Sequence, residues 1–175
     1  MAQHVIKRTL YVGLGGTGMA ALLNTKKMFV DTYGEVPPMI GFLGLDTDGG
    51  AYNKFLLSKK SPSGRVVLEQ SEQLPITVEK AMEIYNYDEE NLGWLPKDNL
   101  KYLTSMTLGA GQVRSNGRFA FTVNRDKIVM RVRAILDKIS NAIRSMPELL
   151  DKVSEMITTH KENKAAKTAD TPAAE

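Results

Sequence analysis

The chain has no cysteine among its 175 residues, which excludes disulfides, thiolate metal sites and cysteine nucleophiles together. Histidine is almost as scarce: His4 and His160 lie near opposite ends, so a histidine-built metal or catalytic cluster is not expected. No apolar run is long enough to cross a membrane, and "MAQHVIKRTLYV" meets glycines too early for a signal-peptide layout. A cytoplasmic protein without a membrane partner is the resulting expectation. Neither sign of charge dominates, since 23 Lys and Arg stand against 20 Asp and Glu for a net +3. The basic residues alternate with acids rather than forming one patch, so a nucleic-acid partner is not expected either. Hydrophobic residues at 42% and charged residues at 25% leave the composition of an ordinary globular domain with its own core.

Apolar patterning organises what is present. "TLYVGLG" reads as a short buried strand that ends in glycines. "GMAALLNTKKMFVDTYG" follows as a helix, with Ala20, Leu23 and Met28 among its apolar positions and Gly34 as its stop. After the break at "EVPP", the stretch "MIGFLGLDTDGG" is apolar on both faces, as an interior parallel strand would be. Strand, helix and strand at this spacing form a βαβ unit. In the middle, "GRVVLEQ" and "LPITVEK" read as short strands or edges and "EKAMEIYNYDEE" as the start of a helix, with Trp94 as a packing anchor. Beyond Ser115, Ile128, Val132, Ile135, Leu136, Ile139 and Ile143 form one stripe of a long helix. "SMPE" then carries a capping-box signature, Ser145 with Glu148, before a helix bearing Leu149, Leu150, Val153, Met156 and Ile157.

Two glycine-rich turns carry the chemistry. In "YVGLGGTGMAALL", Gly13, Gly15, Gly16 and Gly18 surround Thr17 between a strand and a helix. Glycine there admits a phosphate close to the backbone, and the helix N-terminus offers free N–H groups with partial positive charge. The same spacing serves a dinucleotide site, a mononucleotide phosphate loop or a tight turn without a ligand. Asp46 closes the second strand where a dinucleotide fold places its ribose-binding acid, though later than the usual offset of ~20 residues. The second turn, "TLGAGQVRSNGR", contains Gly109, Ala110, Gly111 and Gln112, then Gly117 and Arg118. A dinucleotide fold has no use for it. A longer phosphate chain does, because backbone N–H groups then meet it from two sides and Arg118 adds a fixed charge; a surface turn whose arginine faces solvent is the alternative.

The order "GLGGTG", then "LDTD", then "GAG" followed by "GR" resembles the tubulin/FtsZ superfamily of GTP-binding filament proteins, most closely its bacterial tubulin-like members. The resemblance spans residues 9 to about 140. It implies an α/β, Rossmann-like three-layer fold with a mostly parallel sheet. It also implies that Gly13 to Gly18 line the nucleotide phosphates, that Asp46, Thr47 and Asp48 form the second-strand loop, and that Gly109 to Gln112 with Gly117 and Arg118 face the γ-phosphate end. GTP or GDP would be the ligand, with Mg²⁺ a further candidate beside Asp46 and Asp48. The pattern departs from the family at Ser115, where FtsZ has an acid, and at Met19, where FtsZ has Asn. The family's G-G-G-T-G-[ST]-G run, its purine-contacting helix and its water-activating acidic loop have no counterpart here.

The organisation expected is therefore a nucleotide-binding region over residues 1–145, incomplete in its C-terminal half, an amphipathic helix over 146–160 and a disordered tail or linker over 161–175. The leading functional expectation is the GTP-binding N-terminal segment of a longer filament-forming protein. Such a segment would self-associate or join the remainder of its chain, and GTPase activity would need the missing elements. The alternatives are an NAD(P)-binding oxidoreductase fragment, an adenylylating enzyme, and a non-enzymatic scaffold that keeps the fold and associates through apolar helix faces such as 149–157.

Overall fold

The computed structural model describes residues 7–142 together with 151, 154–156, 158–159 and 162. The "SMPE" capping box, Ile143, both histidines and residues 163–175 lie outside the described residues. Residues 151, 154–156, 158–159 and 162 are helical.

Strand β1 (Thr9–Leu14) leads into helix α1 (Gly15–Tyr33), which returns the chain to β2 (Ile40–Asp46). β1 and β2 are parallel, with Thr9 opposite Ile40 and Leu14 opposite Leu45. A later short strand, β5 (Gln73–Pro75), pairs in parallel with the other side of β2, so the sheet order is β1-β2-β5. The central position of β2 explains its two apolar faces. Phe42 points into the layer of α1, while Leu43 and Leu45 enter the opposite layer, and all three are essentially inaccessible. Burial of each such side chain stabilises by about 1.5–3 kcal/mol.

The α1 layer contains Met19, Leu22, Leu23 and Val30, a single stripe at three- and four-residue steps. Ala20 and Met28, two of the helix's apolar positions, fall off that stripe and are exposed. Lys26 does lie on the stripe; its ammonium is buried against Glu72, 2.6 Å away. α1 ends as expected at Gly34, whose φ of 83° is left-handed and whose N–H donates to the Val30 carbonyl. A two-stranded antiparallel hairpin, β3 (Phe55–Leu57) with β4 (Arg65–Val67), covers this layer through Val66 and Leu68. Ser58 at its base donates to Asp31 of α1 across 2.5 Å. Lys27 also binds Asp31, and these two hydrogen bonds hold the Asp31 carboxyl below its ordinary pKa.

The opposite layer consists of α2 (Ala81–Tyr87), α3 (Glu89–Leu92), α4 (Arg114–Val123) and α5 (Arg125–Asn141) around Phe119, Ala120 and Met106. The expected single long helix is thus two. Asn124 interrupts it with ψ of 13°, and its side-chain amide donates to the Ala120 carbonyl, 2.9 Å away. On α5, Ile128, Ile135 and Ile139 are buried as the stripe requires, but Leu136 is 45% exposed. The two layers meet at the 3₁₀ turn Gln70–Glu72 before β5. Lys26 grips it from α1, and the Arg131 guanidinium donates from α5 to the carbonyls of Gln70, Ser71 and Gln73.

Candidate functional site at the carboxyl end of the sheet

The first glycine loop serves two separate purposes. Gly13, near the end of β1, lies so close to the first turn of α1 that a Cβ there would sit 2.5 Å from the Gly18 carbonyl oxygen. Gly18 is equally constrained, since its Cβ would lie 3.0 Å from the Gly13 carbonyl carbon. These two glycines let strand and helix touch. Gly15 and Gly16 do not: nothing lies within 4 Å of a Cβ on either, and Gly15 has φ of +67°. Thr17 is exposed beside them. No side chain caps the α1 N-terminus and no acid lies in its first turn. The positive end of the helix dipole is therefore uncompensated by any side chain of that turn.

The second loop leaves β2 directly beside the first, because Gly13 pairs with Gly44. Asp46 and Thr47 are buried here. The Asp46 carboxylate accepts the Asp48 N–H at 3.0 Å, and the Asp48 carboxylate accepts the Gly50 N–H at 2.8 Å. Each acid thus shapes the turn that follows it. Tyr52 supports the same loop from below; its hydroxyl accepts the Asp46 N–H at 2.8 Å. Burial pushes the Tyr52 phenol up to about 12, and the charges of Asp46 and Asp48 act in the same direction.

The third loop is bridged onto the second. Asp48 and Leu108 form an antiparallel bridge, and the Gly49 N–H donates to the Thr107 carbonyl at 3.3 Å. Gly109 and Gly111 have φ of 106° and 61°, again with nothing within 4 Å of a Cβ. Gln112 follows with φ of 63°, the one positive value at a non-glycine residue among those described. That conformation costs a residue with a Cβ roughly 1–2 kcal/mol. α4 then starts at Arg114, uncapped and without an acid in its first turn. A cation there opposes the helix dipole, at a cost of about 0.3–1 kcal/mol. One turn on, Gly117 is half-buried and Arg118 lays its guanidinium over Trp94, 4.0 Å from the ring centre. Trp94 itself packs against the core, as an anchor would.

Gly13 to Gly18, Asp46 to Asp48 and the loop at Gly109 to Gln112 thus gather at the carboxyl end of the parallel sheet. This is the end at which open α/β sheets bind their ligands. Gly117 and Arg118 lie further along α4. Sequence reasoning passed over Tyr52 and Arg114, although "DTDGGAY" and "QVRSNGR" place both within six residues of a named loop residue. It also passed over Asn116, whose Nδ2 donates to the Tyr102 carbonyl while its buried Oδ1 has no partner. Among the described residues no three His, Asp or Glu side chains gather in a way that could hold a metal ion. None of the helices among them is long and apolar enough to cross a membrane. A cavity of about 470 Å³ lies away from the loops, against Ile40, Phe42, Arg131 and Ile139, but Arg131 has already turned its guanidinium onto carbonyls.

The layered α/β architecture, with a glycine-rich turn between its first parallel strand and first helix, defines a Rossmann-like fold of the nucleotide-binding kind. The chain belongs to the tubulin-like family: the family model described as "Tubulin like" matches residues 10–169. Comparison with curated proteins and with solved structures gave no match.

Proposed function

We propose that the three loops hold the phosphates of a guanine nucleotide, GTP or GDP, in a tubulin-like protein that assembles with further copies of itself. One observation carries this reading. Two helix N-termini begin in the glycine loops, both lack capping side chains and acids, and the second begins with an arginine. Such an arrangement is electrostatically unsatisfied until an anion arrives. Gly15, Gly16, Gly109 and Gly111 leave room for the anion at the backbone. In this reading Thr17 adds a hydroxyl donor, Arg114 a charge at the mouth, and Arg118 a further charge when it leaves Trp94. Asp46 and Asp48 position the second loop, since each already accepts a backbone N–H. A magnesium ion would be held mainly by phosphate oxygens and water, with Asp48 the nearer of the two acids to the loops' mouth by exposure.

The dinucleotide alternative needs Asp46 for the ribose, and that carboxylate is buried under its own loop. Binding, and not hydrolysis, is what the reading assigns to these residues. It is tested by denaturing the purified protein and identifying released nucleotide by chromatography, before and after equilibration with GTP. Guanine nucleotide is the expected result. NAD(P), or no nucleotide even after equilibration, would overturn it.

A further inference from the structure

We propose that the outer face of the β3–β4 hairpin of one copy docks onto the α2–α3 face of a second copy, in a head-to-tail contact that repeats. Three of the four residues on the hairpin's outward side are apolar, and the fourth, Arg65, lays its guanidinium over the Phe55 ring, 4.5 Å from its centre. Phe55 pairs with Val67 and Leu57 with Arg65 across the strands. Phe55, Leu57 and Val67 are 46%, 70% and 37% exposed. Charge on this element has one sign. Residues 53–68 contain Lys54, Lys59, Lys60 and Arg65, all exposed, and no acid. The hairpin is also held firmly from behind, by Val66 and Leu68 in the α1 layer and by Ser58 on Asp31.

The complementary surface lies in the other layer. Residues 79–92 contain Glu79, Glu83, Asp88, Glu89 and Glu90 against a single cation, Lys80. Lys80 is already paired with Glu83 at 3.0 Å. Tyr87 and Met82 stand out from this face, 94% and 40% exposed. Beside them, a groove of about 560 Å³ runs between α2 and the α4–α5 junction, lined by Val78, Ile84, Tyr87 and Val123, with Glu79, Glu83, Lys80 and Lys127 as its charged walls. A basic hairpin with an apolar patch and an acidic α2–α3 segment with an apolar groove beside it are complementary, and a second copy of this chain supplies each to the other. The hairpin packs on the α1 side of the sheet and α2–α3 on the α5 side. A contact joining different faces is heterologous, so a pair of copies still leaves one hairpin and one acidic face open for further copies.

The full chain is to be followed by sedimentation velocity over a concentration series, at low and high salt, alone and with two variants. Leu57→Asp blocks the hairpin and Tyr87→Asp blocks the acidic face; both side chains are largely in solvent, so melting temperatures should match wild type. Wild type is expected to grow beyond dimers with concentration and to retreat at high salt. Each variant alone should associate about tenfold or more weakly, the loss of one buried apolar side chain. The equimolar mixture should recover a one-to-one dimer and nothing longer, because each variant keeps the face that the other lacks. A monomeric wild type, a mixture that stays monomeric, or a Tyr87→Asp chain that associates as tightly as wild type would overturn the proposal. Lys59→Glu with Lys60→Glu, restored by Glu89→Lys with Glu90→Lys on the partner chain, provides an independent check on the charge term.

Discussion

Gly16→Ala separates the two roles that a glycine in the first loop can have. Gly16 is the second residue of α1, its φ is not in the left-handed region, and nothing lies within 4 Å of an added Cβ. Alanine therefore fits the fold and restricts the unfolded chain. Replacing glycine by alanine in a helix gains about 0.5–1 kcal/mol, and the lower figure suits a first turn. For a domain of this size that raises the melting temperature by about 1–3 °C. The same methyl group occupies the space into which a phosphate would come to meet the N–H groups of the turn. Losing one hydrogen bond to a charged ligand costs about 1.5–3 kcal/mol, or roughly ten- to a hundredfold in affinity. The expected variant is thus more stable and binds GTP more weakly, as read by thermal melts and by titration calorimetry. A more stable variant with unchanged affinity would refute close backbone approach at Gly16. A less stable one would refute the geometry of the turn.

Other substitutions probe the remaining parts of the site. Gly13→Ala should behave oppositely to Gly16→Ala, losing about 3 kcal/mol in denaturant melts, because its Cβ would meet backbone 2.5 Å away that can move only with the helix. Gln112→Gly should stabilise by about 1 kcal/mol in the same assay by releasing the positive-φ strain. The folded-state pKa of Tyr52, about 12, lies above the 10 of a free phenol, so its contribution is intact below pH 10 and lost as pH rises to 12. The full loss is about 2–3 kcal/mol, and Tyr52→Phe should remove this alkaline step from urea melts. Arg118→Ala should change the emission of Trp94, the only tryptophan, by removing the stacked guanidinium. It should also weaken GTP more than GDP; equal losses would argue against contact with the terminal phosphate.

The βαβ start was legible because its signals are local: glycines end β1, Gly34 ends α1, and β2 is apolar on both faces as its central position demands. The glycine loops were legible for the same reason. What the sequence left open depends on contacts far apart along the chain. Nothing near Gln73 announces that β5 joins β2, since Lys26 and Arg131 fix that segment from two different helices. The long helix expected beyond Ser115 breaks before its apolar stripe begins, at Asn124, where no proline or glycine marks the turn and the side-chain amide bonds the Ala120 carbonyl. Leu136, counted in the stripe but 45% exposed, has a simpler explanation. An apolar residue at the margin of a stripe is as consistent with solvent as with a core. In the site, the sequence did not reveal that each aspartate shapes its own turn by accepting the backbone N–H two residues on.

Amide hydrogen exchange of the full chain with and without GTP tests the three-loop site most directly. Slower exchange is expected at residues 15–18, 47–50 and 109–116 together, with the amino end of β2 unchanged. Protection confined to one of these segments, or appearing instead around Ile40, Arg131 and Ile139, would contradict a phosphate site built from all three loops.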